Sequence, residues 1–383
     1  MGFYTLKNFE LVHDVPEAGM PRREFLCKSA LLAVPLVLGG NILPAMAATA
    51  LPSRTRGTAT RSVKSYGAVG NGIHDDTAAF QAAINSLPSS GGTVTVPAGT
   101  YLIDPVKKVQ LRSYMHLQMD PDAVLKAKTN SATRAYILYA YKRSNVEISG
   151  GRLMGDRATH RYVSGSTSEW NHGIQIIGST HVTIRDLYVA NCAGDGICIG
   201  GGASDIVIGN VVSTKNRRQG LSITRSHGIR VYDSEFSYTS GTSPQCGIDI
   251  EPDGTSTAYD IVIQNCRLNN NKMYGINVWK RVSNVTLDKC VIEYNGSCGA
   301  ATSYCSAVKF TGNTVRYNSA TGLFIREGSS NCSVSGGLSY GNYTRLGIKT
   351  RSPFTQTGWS SKVERDILIR SASGTRIGTN SYK

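Results

Sequence analysis

A short pattern, glycine then apolar-x-apolar, recurs through the second half of the chain: "HGIQI", "DGICI", "QGLSI", "CGIDI", "YGINV", "TGLFI" and "LGIKT". Its glycines are Gly173, Gly196, Gly220, Gly247, Gly275, Gly322 and Gly347, in steps of 23, 24, 27, 28, 47 and 25 residues. The long step divides at Gly299, where the strand pattern "GAATS" is weak. A period in this range with no helical periodicity marks a stacked-repeat architecture, because one such unit cannot bury a core alone. A β-sandwich would show no repetition in register.

Each unit also holds a second strand, such as "IVIGNVVS" or "VTLDKCVI". Aligned on Ile184, Ile208, Val231, Ile263, Leu287, Phe310 and Val334, the position eight later reads Cys192, Asn216, Thr239, Asn271, Asn295, Asn318 and Asn342. Asparagine recurring at one turn predicts a ladder whose side chains bond turn backbone in neighbouring coils. On the same alignment Cys266 and Cys290 stack as small core residues or as a bridge, and Cys298 and Cys305 are spaced to staple a loop. These features predict an all-β chain folded as a right-handed parallel β-helix from 62 to 351, with 352–383 as a tail or cap.

The opening of that region, "SVKSYGAVGNGIHDDTAAFQAAINSLPSSGGTVTVPAGTYLI" (62–103), resembles the start of the pectate-lyase-like β-helix superfamily. That group includes polygalacturonases, rhamnogalacturonases, mannuronan epimerases and phage tailspikes. Within it, "HDDTAAFQAAINS" reads as a short amphipathic capping helix with Asp75 or Asp76 near its N-cap, a structural role.

The first residues read as an address. Arg22-Arg23, a modest apolar stretch and Ala45-Met46-Ala47 resemble a twin-arginine export signal over 1–47, followed by a linker at 48–61. The expected location is periplasmic or secreted. No apolar run is long enough to anchor the chain in a bilayer. Removing 1–47 takes four basic and four acidic residues, so the net charge stays at +15. With no nucleic-acid motif and its basic residues scattered, the chain suits an acidic polysaccharide better than nucleic acid.

Candidate chemistry gathers at "GIDIEPDG" (247–254), where Ile248 and Ile250 alternate with Asp249 and Glu251. In a strand that period turns the isoleucines to the core and the two acids outward. The enlarged loops "YTSGTSPQ" and "PDGTSTAY" flank this strip, and long loops on a solenoid mark its binding face. Stacking the coils adds Asp195 and Arg218 as candidate catalytic residues with Asp249 and Glu251. Arg157, Trp170, His172, Arg217, Tyr274, Trp279 and Lys280 are candidate sugar contacts, through aromatic stacking and bidentate arginine pairing.

Three functions fit. The first is β-elimination on a uronate, with Asp249, Glu251 and Asp253 holding calcium through oxygen. Resemblance to pectate lyases implies an arginine base or clamp for this chemistry, here Arg217 or Arg218. The second is hydrolysis by two carboxyls. For it, "AGDG" matches the polygalacturonase Asn-Thr-Asp-Gly coil at Asp195, while "RRQGLSI" lacks that family's following double aspartate. Epimerases share the proton abstraction, without a counterpart here of their Tyr-Gly-x-Asp-Pro-His segment. The third is a non-catalytic carbohydrate-binding or structural β-helix.

Overall fold

The computed structural model describes residues 49–163, 169–343, 354–356 and 366–382. The proposed export signal and Gly347 lie outside them. Among the described residues the strands form one sheet of 22 and one of 11, joined by parallel pairings throughout. Each coil runs along two faces of the large sheet and then along the smaller one, here called the site sheet.

The register matches the repeat residue for residue. Ile184, Ile208, Val231, Ile263, Leu287, Phe310 and Val334 are successive partners across adjacent coils. On the site sheet, Ile176, Ile199, Ile223, Ile250 and Val278 likewise pair in turn and are fully buried. Each such side chain contributes about 1.5–3 kcal/mol of transfer free energy, so the core is a set of aliphatic stacks running along the axis.

An asparagine ladder holds the turn that leads into the site sheet. The residue before each ladder position takes a left-handed conformation: Lys215, Tyr238, Asn270, Tyr294 and Tyr317 have φ of 53–57°. The next residue compensates, since Asn295 accepts the Asn271 N–H (3.1 Å) and Asn318 accepts the Asn295 N–H (3.0 Å). Their amide groups donate back to Leu268 and Ile292 carbonyls. The glycines have a different reason. A Cβ on Gly220, Gly247, Gly275 or Gly299 would stand 2.6–2.7 Å from the carbonyl oxygen of the glycine in the next coil.

The helix Thr77–Asn85 closes the N-terminal end, burying Phe80 edge-on against Tyr101 at 5.3 Å. Asp75 caps it by accepting the Thr77 N–H, and Asp76 instead accepts the N–H groups of Val69 and Gly70. Both acids are structural, as their position suggested.

Three expectations need correction. Residues 49–57, expected to be linker, form a strap across the large sheet. Arg54 bonds Thr183 and Asp205, Arg56 bonds the buried Glu147, and Leu51 sits where Gly209 lacks a side chain. The coil also continues past 351, because Ile367–Arg370 pairs with Leu323–Ile325 and Arg376–Ile377 with Ser333–Val334. No staple joins Cys298 to Cys305, which flank the strand Ala300–Ser303; all eight cysteines in the described residues are free and buried. Cys266 and Cys290 are the small core residues of that pair of alternatives.

Candidate active site

The outward face of the site sheet carries a groove of about 460 Å³. Its floor is one column of side chains in register, Gln175, Cys198, Ser222 and Asp249, which Asn277 continues in the next coil. Alternation with the buried isoleucines aims these residues out of the core, as the period of two requires. The walls are Arg134, Tyr136, Glu169, Trp170 and His172 on one side, and Thr224, Glu251 and Asp253 on the other, with Asp195 and Arg218 between.

Asp249 faces outward but is not exposed; it retains 3 % of its accessible surface. Gln219 Nε2 donates to its Oδ2 at 3.0 Å, and Asn277 Nδ2 to its Oδ1 at 2.9 Å. Gln219 cannot turn over, because its Oε1 already accepts the Cys246 N–H at 2.8 Å. Burial raises the Asp249 carboxyl to about 7, with Glu251 and Asp195 adding to the effect and Asn277 and Arg218 opposing it. A carboxyl in that range can hold a proton and give it up near neutral pH. Asn277 Oδ1 is buried without a partner, so an amide rotation would let it accept from the protonated form. Half-buried Glu251 is also raised, by burial first, with Arg218 and Lys280 opposing.

Asp195 is fully buried and differently held. Ser222 Oγ–H donates to its Oδ2 at 2.8 Å, and Arg218 Nη1 lies 3.4 Å away. Arg218 also pairs with Glu169 through Nε at 3.1 Å. Burial works against that guanidinium, but Asp195, Glu169 and Asp249 outweigh it and hold Arg218 well above the ordinary arginine value. This environment favours a clamp over a base. The His172 ring stacks on Tyr136, and its Nδ1 accepts the Asp195 N–H at 3.0 Å. Burial lowers it to about 4, with Asp195 opposing, so near neutral pH it is uncharged and carries its proton on Nε2.

The candidate sugar contacts divide. Trp170 and His172 line the groove, Trp170 under the Arg134 guanidinium at 4.1 Å. Arg157 and Arg217 do not line it. Arg157 donates to the Lys215 and Asn216 carbonyls, and Arg217 lies over Tyr162 and donates to the Ala193 carbonyl. Both brace neighbouring turns. Tyr274, Trp279 and Lys280 lie farther along the sheet. Arg134 and Tyr136 were missed, because "RAYILYAY" precedes the glycine repeat and gave no register to place it in; Glu169 was missed because it lies in the irregular segment before Trp170.

Of the three expected calcium ligands, Asp249 is already engaged. Both Asp249 oxygens accept amide hydrogens, one from a side chain whose orientation is fixed. Among the described residues, ligand atoms of His172, Asp195 and Cys198 do lie within 4.8 Å of one another. There too His172 Nδ1 is engaged, and a guanidinium sits against the carboxylate.

Fold and groove define a class: a right-handed parallel β-helix with an acid-lined cleft on one outer face. Residues 60–277 match the model of the rhamnogalacturonase A/epimerase, pectate lyase-like family, and 246–347 match that of the right-handed β-helix region. The chain belongs to the rhamnogalacturonase A/epimerase, pectate lyase-like family. It is 28% identical to the uncharacterized protein YclG of Bacillus subtilis over 83% of this chain and 61% of that protein. It is 26% identical to mannuronan C5-epimerase AlgE2 of Azotobacter vinelandii over 57% of this chain and 25% of that one. The chain thus spans less than two thirds of the length of these relatives. Among solved structures, the AlgE6 A-module of the A. vinelandii mannuronan C-5 epimerase superposes with a TM-score of 0.62 at 19% identity, covering 84% of this chain and 99% of that one. PfbA, a surface adhesin of Streptococcus pneumoniae, gives 0.62 at 16% identity, covering 85% and 90%. These likenesses establish the fold.

Proposed function

We propose that this chain is a polysaccharide-cleaving enzyme, hydrolysing a glycosidic bond with Asp249 as proton donor and Asp195 as the partner carboxylate. One observation carries the reading: the Asp249 carboxyl, held at about 7, sits on the floor of a groove that also holds the Arg218-clamped Asp195. Two carboxyls in unlike surroundings are the arrangement that separates acid from base. Asp249 lies two coils beyond Cys198, which follows Asp195 by three residues. Ser222, which donates to Asp195 Oδ2, is itself the strand partner of Asp249, so the two carboxyls share one stretch of the groove floor.

In this mechanism Asp249 protonates the departing glycosidic oxygen. Asp195, oriented by Ser222 and Arg218, takes a proton from the attacking water. Trp170 offers a face to a sugar ring, and Gln219 and Asn277 hold the Asp249 carboxyl in place. No step passes through a metal.

Against elimination, the first expectation from sequence, weighs the place of Arg218 between Asp195 and Glu169, which favours its charged form. A second reading, proton abstraction beside a uronate carboxylate as in epimerisation, is favoured by the Arg218 guanidinium at the groove and by the likeness to mannuronan epimerases. Incubation with neutral and acidic polysaccharides separates them. Hydrolysis raises reducing ends alone; elimination also raises the ultraviolet absorbance of an unsaturated uronate. Epimerisation raises neither and changes the product's composition. No change in any polymer would leave the carbohydrate-binding role, and the proposal would fall.

A further inference from the structure

The outward columns of the site sheet run on past the acid centre. Asn277 follows Asp249 in register, then Ala301, then Phe324. In the next column Trp279 pairs with Ser303, and Arg326 follows the Thr302–Ile325 pair by one residue. Small residues at 301 and 303 lie between Trp279 on one side and Phe324 and Arg326 on the other. The Arg326 guanidinium spans that interval, 5.2 Å from the Trp279 ring centroid and 5.7 Å from that of Phe324. Lys280, exposed, extends over the same indole at 5.4 Å.

Arg326 has no carboxylate partner among the described residues, unlike Arg218. Its Nε is buried without an acceptor, and so is the Oγ of the fully buried Ser303 one coil below. Two buried donors left unpaired in adjacent coils are costly, each about 1–3 kcal/mol. A carboxylate or sulfate oxygen, which has no hydrogen of its own, would accept from both. The indole and phenyl rings supply the apolar faces on which a sugar ring lies.

We infer that Trp279, Ser303, Phe324 and Arg326 form a subsite for an oxyanion-bearing sugar, a uronate or a sulfate ester. It lies one to three strands from Asp249, roughly 5–14 Å at the spacing of paired strands. The subsite rests on the proposed function only in taking the ligand to be a polysaccharide. It also resolves a conflict of charge. Glu169, Asp195, Glu251 and Asp253 outnumber Arg218 and Arg134 around the groove, so an anionic sugar is disfavoured at the acid centre. The substrate's charge is read farther along, at Arg326.

The test measures binding to the full chain carrying Asp249→Asn, so that oligomers stay intact. The probes are a galacturonate hexamer, its methyl ester and a sulfated galactan hexamer. Arg326→Gln should weaken a charged oligomer about tenfold, the scale of a hydrogen bond to a charged group, and leave the ester nearly unaffected. Loss confined to the uronate assigns a carboxylate; loss confined to the sulfated oligomer assigns a sulfate. Trp279→Ala should weaken whichever oligomers bind. Equal loss for charged and neutral oligomers, or no binding of either charged one, overturns the subsite. Charge-selective binding by a chain that never turns over a polymer would keep the subsite and sink hydrolysis. Turnover lost in Asp249→Asn with Arg326→Gln indifferent does the reverse.

Discussion

The Asp249 carboxyl, at about 7 in the fold against 3.8 ordinarily, makes the folded chain pay for its own reactive group. Below pH 3.8 the carboxyl is protonated in both states and folding is unaffected. Between there and about 7 only the folded chain keeps the proton, so stability falls as pH rises, and above 7 the whole penalty is present. Asp249→Asn should therefore raise the melting temperature in alkaline buffer, on the order of 2–4 kcal/mol by proton linkage, and leave it unchanged in strong acid. The same variant should cut turnover about 10²–10⁴-fold, the usual contribution of a positioned proton donor. A melting temperature that drops at every pH would mean that Asp249 is structural. Arg218→Lys keeps the charge but loses the fork that holds Asp195 and Glu169 together, and it should lower kcat by at least tenfold. The outward direction of Asp249 was legible from its alternation with Ile248 and Ile250. Its burial was not, because alternation says nothing of Gln219 and Asn277, which close on it from the neighbouring coils.

At the scale of elements, the asparagine ladder was legible before any coordinate, since a side chain that bonds the same turn in every coil must recur at one position. Asn295→Ala should test its weight. It leaves the Asn271 N–H and the Leu268 carbonyl unpaired, at roughly 1–3 kcal/mol each, while leaving the groove's charges in place. Denaturant unfolding should show that loss, with KM unchanged. The strap of residues 49–57 was not legible, because its partners Glu147, Thr183 and Asp205 lie in three other coils and its own sequence has no period. Arg157 and Arg217 misled for a related reason. An arginine that braces backbone carbonyls looks, in sequence, like one that clamps a substrate. Gly209→Leu should displace Leu51 from its seat and lower the melting temperature, with turnover retained because the strap crosses the large sheet.

For the whole molecule, a stiff solenoid with in-register faces turns a one-dimensional repeat into an extended binding surface. Along that surface the chemistry changes from acidic around Asp249 to cationic and aromatic around Arg326. A chelator should leave turnover intact, because Asp249 and Asp195 are engaged by amide and guanidinium donors. Export by the twin-arginine route, suggested by Arg22-Arg23 and Ala45-Met46-Ala47, predicts that replacing both arginines by lysine strands the precursor in the cytoplasm. Undiminished export would remove that part of the account. The most direct measurement is the pH dependence of kcat/KM for reducing-end release from an acidic polysaccharide, with Asp249→Asn alongside. A falling limb near pH 7 in the unaltered chain, with turnover abolished in the variant, is the predicted result. Full turnover in Asp249→Asn, or a profile flat through neutrality, would contradict it.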